Sequence, residues 1–552
     1  MFLIRDNIHG DIAFDGMFAH IINTPEFQRL RSIEQGSFRP VFPGARHDRF
    51  IHSLGTYHLA GKFVEHFFLN IRQDLKARGK SVPTLAAADV KRLKTTFRYA
   101  ALLHDIGHAP FSHTTEELFA EPIGSTGLPL IWEQLCDEVK AVASAAEYDR
   151  FVKSTAKKVG APHEIASAVL LIRNRSTFLQ GEGARDVDLE LAARMVIGYT
   201  YKSTDVGADP KEAEEKGIRN CLIQLLNSSI LDVDRLDYLG RDTMMSGFTN
   251  APLDLECLAS SVTAVRMADG WLAPAYRDSA LRVFDLMFQA KLSHDAWVLA
   301  SPAGPYDAGL TAHCIRRLND LIDPGYTRTI FSIEALGRTG VDMKGKHYRL
   351  LSDVDIAADL KAQTDPEFQE LYTRELGKRR LPAWRSYYEF QHIFNDPANG
   401  ITAEAVFNRF KPLLEYMEKE HIFVFNKAGY DTITSRCADK KVTQAADYLR
   451  TFLNGLTTDA AKKDAFNVVL LKRKNNFTMG IDPEAVRIVF PAHKVPLRLD
   501  ERNYSTYREL TGITAENMRS REYFYLYRHG GLGYQQLAKL RKSMKAFLKI
   551  SL

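Results

Sequence analysis

The sequence predicts a mainly α-helical protein with a smaller mixed α/β lobe toward its C-terminal end. Two observations carry that expectation. Helix-forming apolar runs dominate the first 330 residues, at 97–103 (FRYAALL), 222–242 and 281–299. Past about residue 330, β-branched and aromatic runs stand between lysine-rich or Pro/Gly turns, at 422–425 (IFVF), 468–471 (VVLL) and 486–490 (VRIVF). No fixed-period repeat or low-complexity stretch interrupts either part. The expected organisation is a helical core over 1–330 and an α/β lobe over 331–552. The stretch 205–217 (DVGADPKEAEEKG) is charged and holds Gly and Pro, so it reads as a solvated loop with a short exposed helix.

With 552 residues, 45% hydrophobic and 26% charged, the chain is ordinary for a globular protein. This excludes a disordered tail, a collagen-like repeat and a small disulfide scaffold. Lys and Arg number 73 against 68 Asp and Glu, a net +5. That mild excess suits a pocket for an acidic ligand and is too small to argue for nucleic-acid binding by itself. Cys136, Cys221, Cys257, Cys314 and Cys437 lie far apart with no CxxC pair, which points to buried thiols in a reducing compartment. The opening MFLIRDNIHGDIAF lacks the apolar stretch of a signal peptide, and no run approaches the roughly 18 apolar residues that span a bilayer. A cytoplasmic location without membrane attachment is expected.

The chemistry concentrates in residues 101–113, ALLHDIGHAPFSH. A His–Asp pair after an apolar run places charge where burial would demand a partner or a metal. His104 and His108 share a helix face. Gly107 and Pro110 then break the helix, so His113 can return toward the same cavity. A second element is 49–55, RFIHSLG, and a third is 232–242, DVDRLDYLGRD. On a helix, Asp234, Asp237 or Tyr238, and Arg241 or Asp242 project from one side. Together these supply His52, His104, Asp105 and Asp234. Two imidazoles and two carboxylates suit a divalent first-row metal, Mn, Fe or Zn before Mg, with positions open for water or a phosphate oxygen. Asp232 competes with Asp234 for the fourth place, its alternative being a helix-starting cap. His9, His20, His47, His58 and His66 read as surface or satisfied core groups.

The H…HD…D pattern resembles the HD-domain metal phosphohydrolases. FQRLRSIEQGSFRPVFPGARHDRFIHSLG, LLHDIGHAPFSH and DVDRLDYLGRD, in that order, more closely resemble the deoxynucleoside triphosphate (dNTP) triphosphohydrolases, the group of the bacterial dGTPases. The similarity covers about 1–120 and 160–300 and is fainter later. It implies an HD-domain helical core, with metal ligation by His52, His104, Asp105 and Asp234 and a phosphate contact from Arg49. It also implies that His108, His113 and His163 surround the reacting phosphate. His113 would protonate the leaving 5′ oxygen, helped by Glu116, which stands where relatives often have Asp. Gln35, Tyr238 and Asp242 would hold the deoxyribose, and Arg235 and Lys291 would face the triphosphate. The reaction implied is metal-dependent cleavage of a dNTP to deoxynucleoside and tripolyphosphate.

The resemblance further implies a nucleotide activator bound near Asn23, Gln28 and Arg31, and a homo-oligomer of four or more copies. The C-terminal lobe would then serve regulation or subunit contact. Asn23 replaces an aspartate that would accept from a guanine edge, and Asn offers a donor pair as well as an acceptor. Gly36 stands where a relative has a larger apolar residue beside sugar and base, and Leu299 where it has a tyrosine. Two other functions use the same residues: an HD-type nucleotide phosphatase or single-strand nuclease, and a nucleotide-sensing regulator without turnover.

Overall fold

The computed structural model describes residues 2–120, 131–154, 160–202, 205, 210–228, 231–247, 253–299, 301–373, 379–396, 398, 400–459, 462–475, 486–490, 496–498 and 521–549. The chain forms two compact units. The first is Met1–His294, Leu318–Ala357 and Thr478–Thr514; the second is Asp295–Arg317, Ala358–Phe477 and Ala515–Leu552.

The first unit opens with an antiparallel hairpin, β1 (Phe2–Asp6) and β2 (Gly10–Phe14). Helix α1 (Arg49–Ala77) follows, started by Asp48, whose carboxylate accepts the Ile51 N–H at 3.0 Å. Helix α2 (Ala87–Leu103) packs along it and delivers the apolar run Tyr99–Ala100–Ala101–Leu102–Leu103 to the core. Burying each large side chain there stabilises the unit by about 1.5–3 kcal/mol. Helices α3 (Pro162–Arg173), α4 (Leu189–Val196), α5 (Pro210–Leu226) and α6 (Val233–Met245) complete the bundle. A hairpin, β3 (Val262–Arg266) and β4 (Leu272–Arg277), leads to α7 (Leu281–Ser293). Among the described residues no helix is long and apolar enough to cross a membrane.

Four sequence expectations are corrected. The run 222–242 is two helices, α5 and α6, because Asp232 takes the Arg235 N–H at 2.7 Å and so starts a new helix. From Pro210 the stretch 205–217 is the start of the 17-residue α5 and no short exposed helix, and Lys216 is buried, donating to the Asp205 carbonyl at 2.7 Å and pairing with Glu212 at 3.0 Å. The strand expected at 486–490 does not join the late strands. Arg487–Val489 instead runs parallel to β4 in the first unit, extending the β3–β4 hairpin. The run 281–299 ends as α-helix at Ser293 and continues as a wider π-helical turn, His294–Leu299.

The second unit has its own antiparallel sheet in the order β5–β8–β7–β6, namely β5 (Arg380–Pro382), β6 (Val424–Phe425), β7 (Val468–Asn475) and β8 (Arg521–His529). Helix α8 (Ala403–Lys419) packs on β7 and β8, with Phe410 against Phe524 at 5.1 Å between ring centroids. The Trp384 indole donates to the Phe524 carbonyl at 2.6 Å. A final helix, α9 (Tyr534–Lys549), buries Leu540, Met544 and Phe547 at helical spacing.

Candidate active site

Helix α1 contributes His52, the end of α2 contributes His104 and Asp105, and the first turn of α6 contributes Asp234. Their side chains converge. His52 Nε2 lies 2.9 Å from Asp234 Oδ1, 3.3 Å from His104 Nε2 and 3.5 Å from Asp105 Oδ2. His104 Nε2 lies 3.4 Å from Asp234 Oδ1 and 3.5 Å from Asp105 Oδ1. Donors held about 2.0–2.2 Å from one ion stand about 2.8–3.1 Å apart in octahedral and about 3.3–3.6 Å apart in tetrahedral geometry, a range that spans these spacings.

The proton positions strengthen that fit. His104 Nδ1 meets the Ala101 carbonyl at 2.9 Å, and a carbonyl only accepts, so Nδ1 carries the proton. His52 Nδ1 meets the Asp237 carboxylate at 2.7 Å and likewise donates. In the neutral rings both Nε2 lone pairs therefore face each other and two carboxylates. Four converging lone pairs repel unless a cation or protons lie among them. Burial pulls His52 down, but Asp234, Asp237 and Asp105 outweigh it and push the imidazole up to about 10. Burial likewise opposes His104, whose pKa Asp105 and Asp234 raise. Burial raises Asp234, and hydrogen bonds from His104 and His52 hold it below the usual carboxylate range. The cluster is built for positive charge, and three of its members, His52, His104 and Asp105, lie close enough together to hold a metal ion.

A second histidine group adjoins the first. His108 is fully buried, with Nε2 3.2 Å from Asp105 Oδ1. Its ring stacks on His163 at 4.1 Å and meets His113 edge-on at 5.2 Å. The buried Nδ1 of His108 has no hydrogen-bond partner among the described residues. Burial, with Arg49 and His163 nearby, holds His108 well below the usual imidazole range, so the ring is neutral. Glu116 bridges the outer pair, accepting from His113 Nδ1 at 2.9 Å and from His163 Nδ1. Burial would raise the Glu116 pKa, but His113 and His163 pull it far down.

The loop carrying these groups is tied down. Gly107 donates to Ser167 Oγ at 2.8 Å, and a β-carbon on Gly107 would meet the Ser167 nitrogen at 2.2 Å, so α3 approaches only because this residue is glycine. Phe111 and Ser112 are left-handed, φ 61° and 50°, a conformation costing of order 1 kcal/mol or more at each. Asp353 accepts from Phe111 N at 2.7 Å and from Glu34 N at 2.9 Å. Arg29 donates to the Ile106, His108 and Leu351 carbonyls at 2.6, 3.0 and 2.9 Å.

The remaining sequence candidates fall into three places. Arg49 is buried, donating to Asp105 Oδ2 at 2.8 Å, Ser112 Oγ at 3.0 Å and the Gln35 carbonyl at 3.0 Å. The buried Gln35 Oε1 has no partner among the described residues. Asp242 is held by His47 at 2.7 Å and His294 at 3.2 Å; burial raises it, but these histidines bring it down to about 2. Tyr238 is half-buried on α6, and Lys291 is buried on α7 one turn before His294. Arg235 donates to the Ser228 carbonyl at 3.2 Å and stands 3.9 Å from Asp232. Phe38 folds over Gly36, its ring 2.7 Å from where a β-carbon would be, and stacks on His47 at 5.7 Å. Asn23, Gln28 and Arg31 form a separate surface group. Asn23 donates to Ala19, Gln28 to Ile22, and Arg31 to Gln28 while stacking 3.6 Å above Phe50.

Sequence reasoning passed over the support behind His52. Asp237, Arg241, Asp6 and His9 form a buried network there, and Gly55 leaves room for it. The spacing had placed Asp237 on the same helix side as Asp234, but not its contacts with His52 and His9.

Residues 49–193 match the HD domain family, and three of the four converging donors fall inside that segment. The chain therefore carries an HD domain over that segment, and part of it is similar to proteins named as dNTP triphosphohydrolases. It is 31% identical over 251 residues to "Deoxynucleoside triphosphate triphosphohydrolase SAMHD1" of Xenopus laevis, covering 45% of this chain and 35% of that protein. It is 42% identical over 120 residues to the protein of that name in Homo sapiens, covering 22% and 17%. It is 44% identical over 117 residues to "Uncharacterized protein MJ1154" of Methanocaldococcus jannaschii, covering 21% of each. The matched region thus spans about a third or less of each relative's length.

Proposed function

We propose that the protein is a metal-dependent dNTP triphosphohydrolase that cleaves a dNTP to deoxynucleoside and tripolyphosphate. The observation that carries this is the pairing of one cation-demanding His52/His104/Asp105/Asp234 cluster with a neighbouring His108/His113/His163/Glu116 group. His52, His104, Asp105 and Asp234 would hold the ion. When bound, a divalent cation supplies Lewis acidity and a water acidified from 15.7 toward about 7.

The chain's own groups do the rest. Glu116 accepts a hydrogen bond from Nδ1–H of His113, so in the imidazolium form the second proton sits on Nε2, on a ring that is 61% exposed and open to a ligand. That nitrogen protonates the 5′ oxygen, a poor leaving group without an acid. The neutral His108, whose Nδ1 has no partner among the described residues, can offer a ring N–H to the reacting phosphate. Arg49 and Arg235 place fixed positive charge beside roughly four negative charges of the triphosphate. Gln35, Tyr238 and Asp242 would contact the sugar, and Lys291 the phosphate tail.

Manganese, iron, zinc and magnesium all remain within the chemistry of this donor set. Nucleotide activation at Asn23, Gln28 and Arg31, assembly into a tetramer or larger, and a regulatory or subunit-contact role for 331–552 are part of the same reading. Five free, dispersed cysteines support a cytoplasmic location. The test is incubation with each dNTP and NTP, alone and in pairs, with Mn or Mg, products being resolved by ion exchange. Tripolyphosphate with deoxynucleoside is the expected result. Inorganic phosphate or nucleotide fragments would favour a phosphatase or nuclease, and binding without any product a sensor.

A further inference from the structure

We propose that the amino-terminal hairpin is a working part of the metal centre: His9 and Asp6, acting through Asp237 and Arg241, hold the His52 imidazole where its Nε2 can take the ion. The inference rests on the metal reading of the cluster above. Asp237 is fully buried and accepts from four donors: His52 Nδ1 at 2.7 Å, His9 Nε2 at 2.6 Å, and Arg241 Nε and Nη2 at 2.9 Å each. A carboxylate offers about four lone-pair sites, so this one is saturated and has a single orientation.

Arg241 balances the buried charge and spends its third nitrogen, Nη1, on Asp6 at 2.8 Å. Asp6 in turn accepts the backbone N–H groups of Ile8 and His9 at 2.8 and 2.9 Å, fixing the turn that carries His9. The chain of contacts therefore closes on itself: the turn between β1 and β2 positions His9, His9 and Arg241 position Asp237, and Asp237 positions His52. Loss of the His9 donor leaves Asp237 Oδ1 one hydrogen bond short and loosens the carboxylate's hold on His52. A carboxylate on the distal nitrogen also makes the ligating nitrogen more basic. His9, Asp6 and Asp237 are thus positioning residues; none touches the ion. All three lie outside the segment that matches the HD domain family.

The experiment measures Mn2+ affinity of the full chain by competition with a fluorescent chelator, starting from metal-free protein, alongside thermal melting of that metal-free protein. Asp237→Asn is expected to weaken binding about 10–100-fold. His9→Ala is expected to weaken it in the same direction by at least about threefold, and His9→Gln, whose amide still donates, to recover most of that loss. If Asp237→Asn fails to fold, the two His9 variants decide. His9→Ala binding Mn2+ within about twofold of the wild type overturns the proposal, whatever its melting temperature. Equal losses in His9→Ala and His9→Gln overturn it too, because they would trace to packing instead of the donor. Wild-type protein that takes up no divalent ion overturns both this inference and the reading beneath it.

Discussion

Gly55 stands against Asp237 so closely that a β-carbon on it would lie 1.9 Å from Asp237 Oδ1 and 2.5 Å from Arg241 Nη2. Gly55 is inside α1, where alanine ordinarily stabilises by about 0.5–1 kcal/mol. Here the sign reverses, because Asp237 and Arg241 are a buried pair with no room to yield. Gly55→Ala should destabilise by about 1–3 kcal/mol, read as a shift in the urea midpoint at unchanged slope. A stabilised variant would mean that Asp237 is not packed against this helix.

Protons would compete with a bound metal for the same donors. In the ion-free site His52 is pushed up to about 10, against burial, by Asp234 and Asp237, and His104 is raised as well. At pH 7 His52 is therefore protonated until an ion displaces its proton. Metal binding should release at least one proton, and apparent affinity should fall about tenfold per pH unit per proton as pH drops. Calorimetry at pH 7 in two buffers of different ionisation enthalpy measures the number. Equal heats in both buffers would mean that the site is already deprotonated.

His58 gives a separate pH dependence. Burial, helped by Lys62 and His9, pulls it from 6.5 down to about 4. The folded pKa lies below the unfolded one, so the unfolded chain binds more protons between pH 6.5 and 4, and stability falls as pH falls through that window. Because the ring is only partly buried, the effect should be about 1–2 kcal/mol. His58→Gln should flatten the unfolding free energy between pH 6.5 and 4 by that amount; an unchanged slope would place the titration elsewhere.

The donor set was legible because its members carry local signals. His104 and Asp105 are adjacent after an apolar run, Gly107 and Pro110 turn the chain back, and helical spacing sets Asp234 on the inner face of α6. The support behind it was not. His9 meets Asp237 across 228 residues, and nothing local to either announces the other. The parallel pairing of Arg487–Val489 with β4 is likewise a long-range contact that alternation alone cannot assign. Lys216 shows the same limit: charge in a helix reads as exposure until the Asp205 carbonyl and Glu212 meet it in space. The break before α6 was legible in principle, since Asn227-Ser228-Ser229 and a capping Asp232 interrupt the helical run.

Glu116 decides how the two outer histidines act. It reaches both His113 and His163, one oxygen to each Nδ1, and both rings depend on it for tautomer and orientation. Glu116→Gln replaces one acceptor with a donor. At least one imidazole must then move its proton to Nε2 or turn away. Turnover of dNTP should fall about 10²–10⁴-fold, the range for a displaced general acid, while substrate affinity changes little. Glu116→Asp keeps the charge but is one methylene shorter, so it can pair well with only one ring. If His113 is the proton donor, aspartate retained on His113 should keep more activity than glutamine, and the acid limb of the kcat profile should shift with the substitution. A glutamine variant with wild-type kcat at every pH would remove His113 from the chemistry and leave the leaving oxygen without an acid from this group.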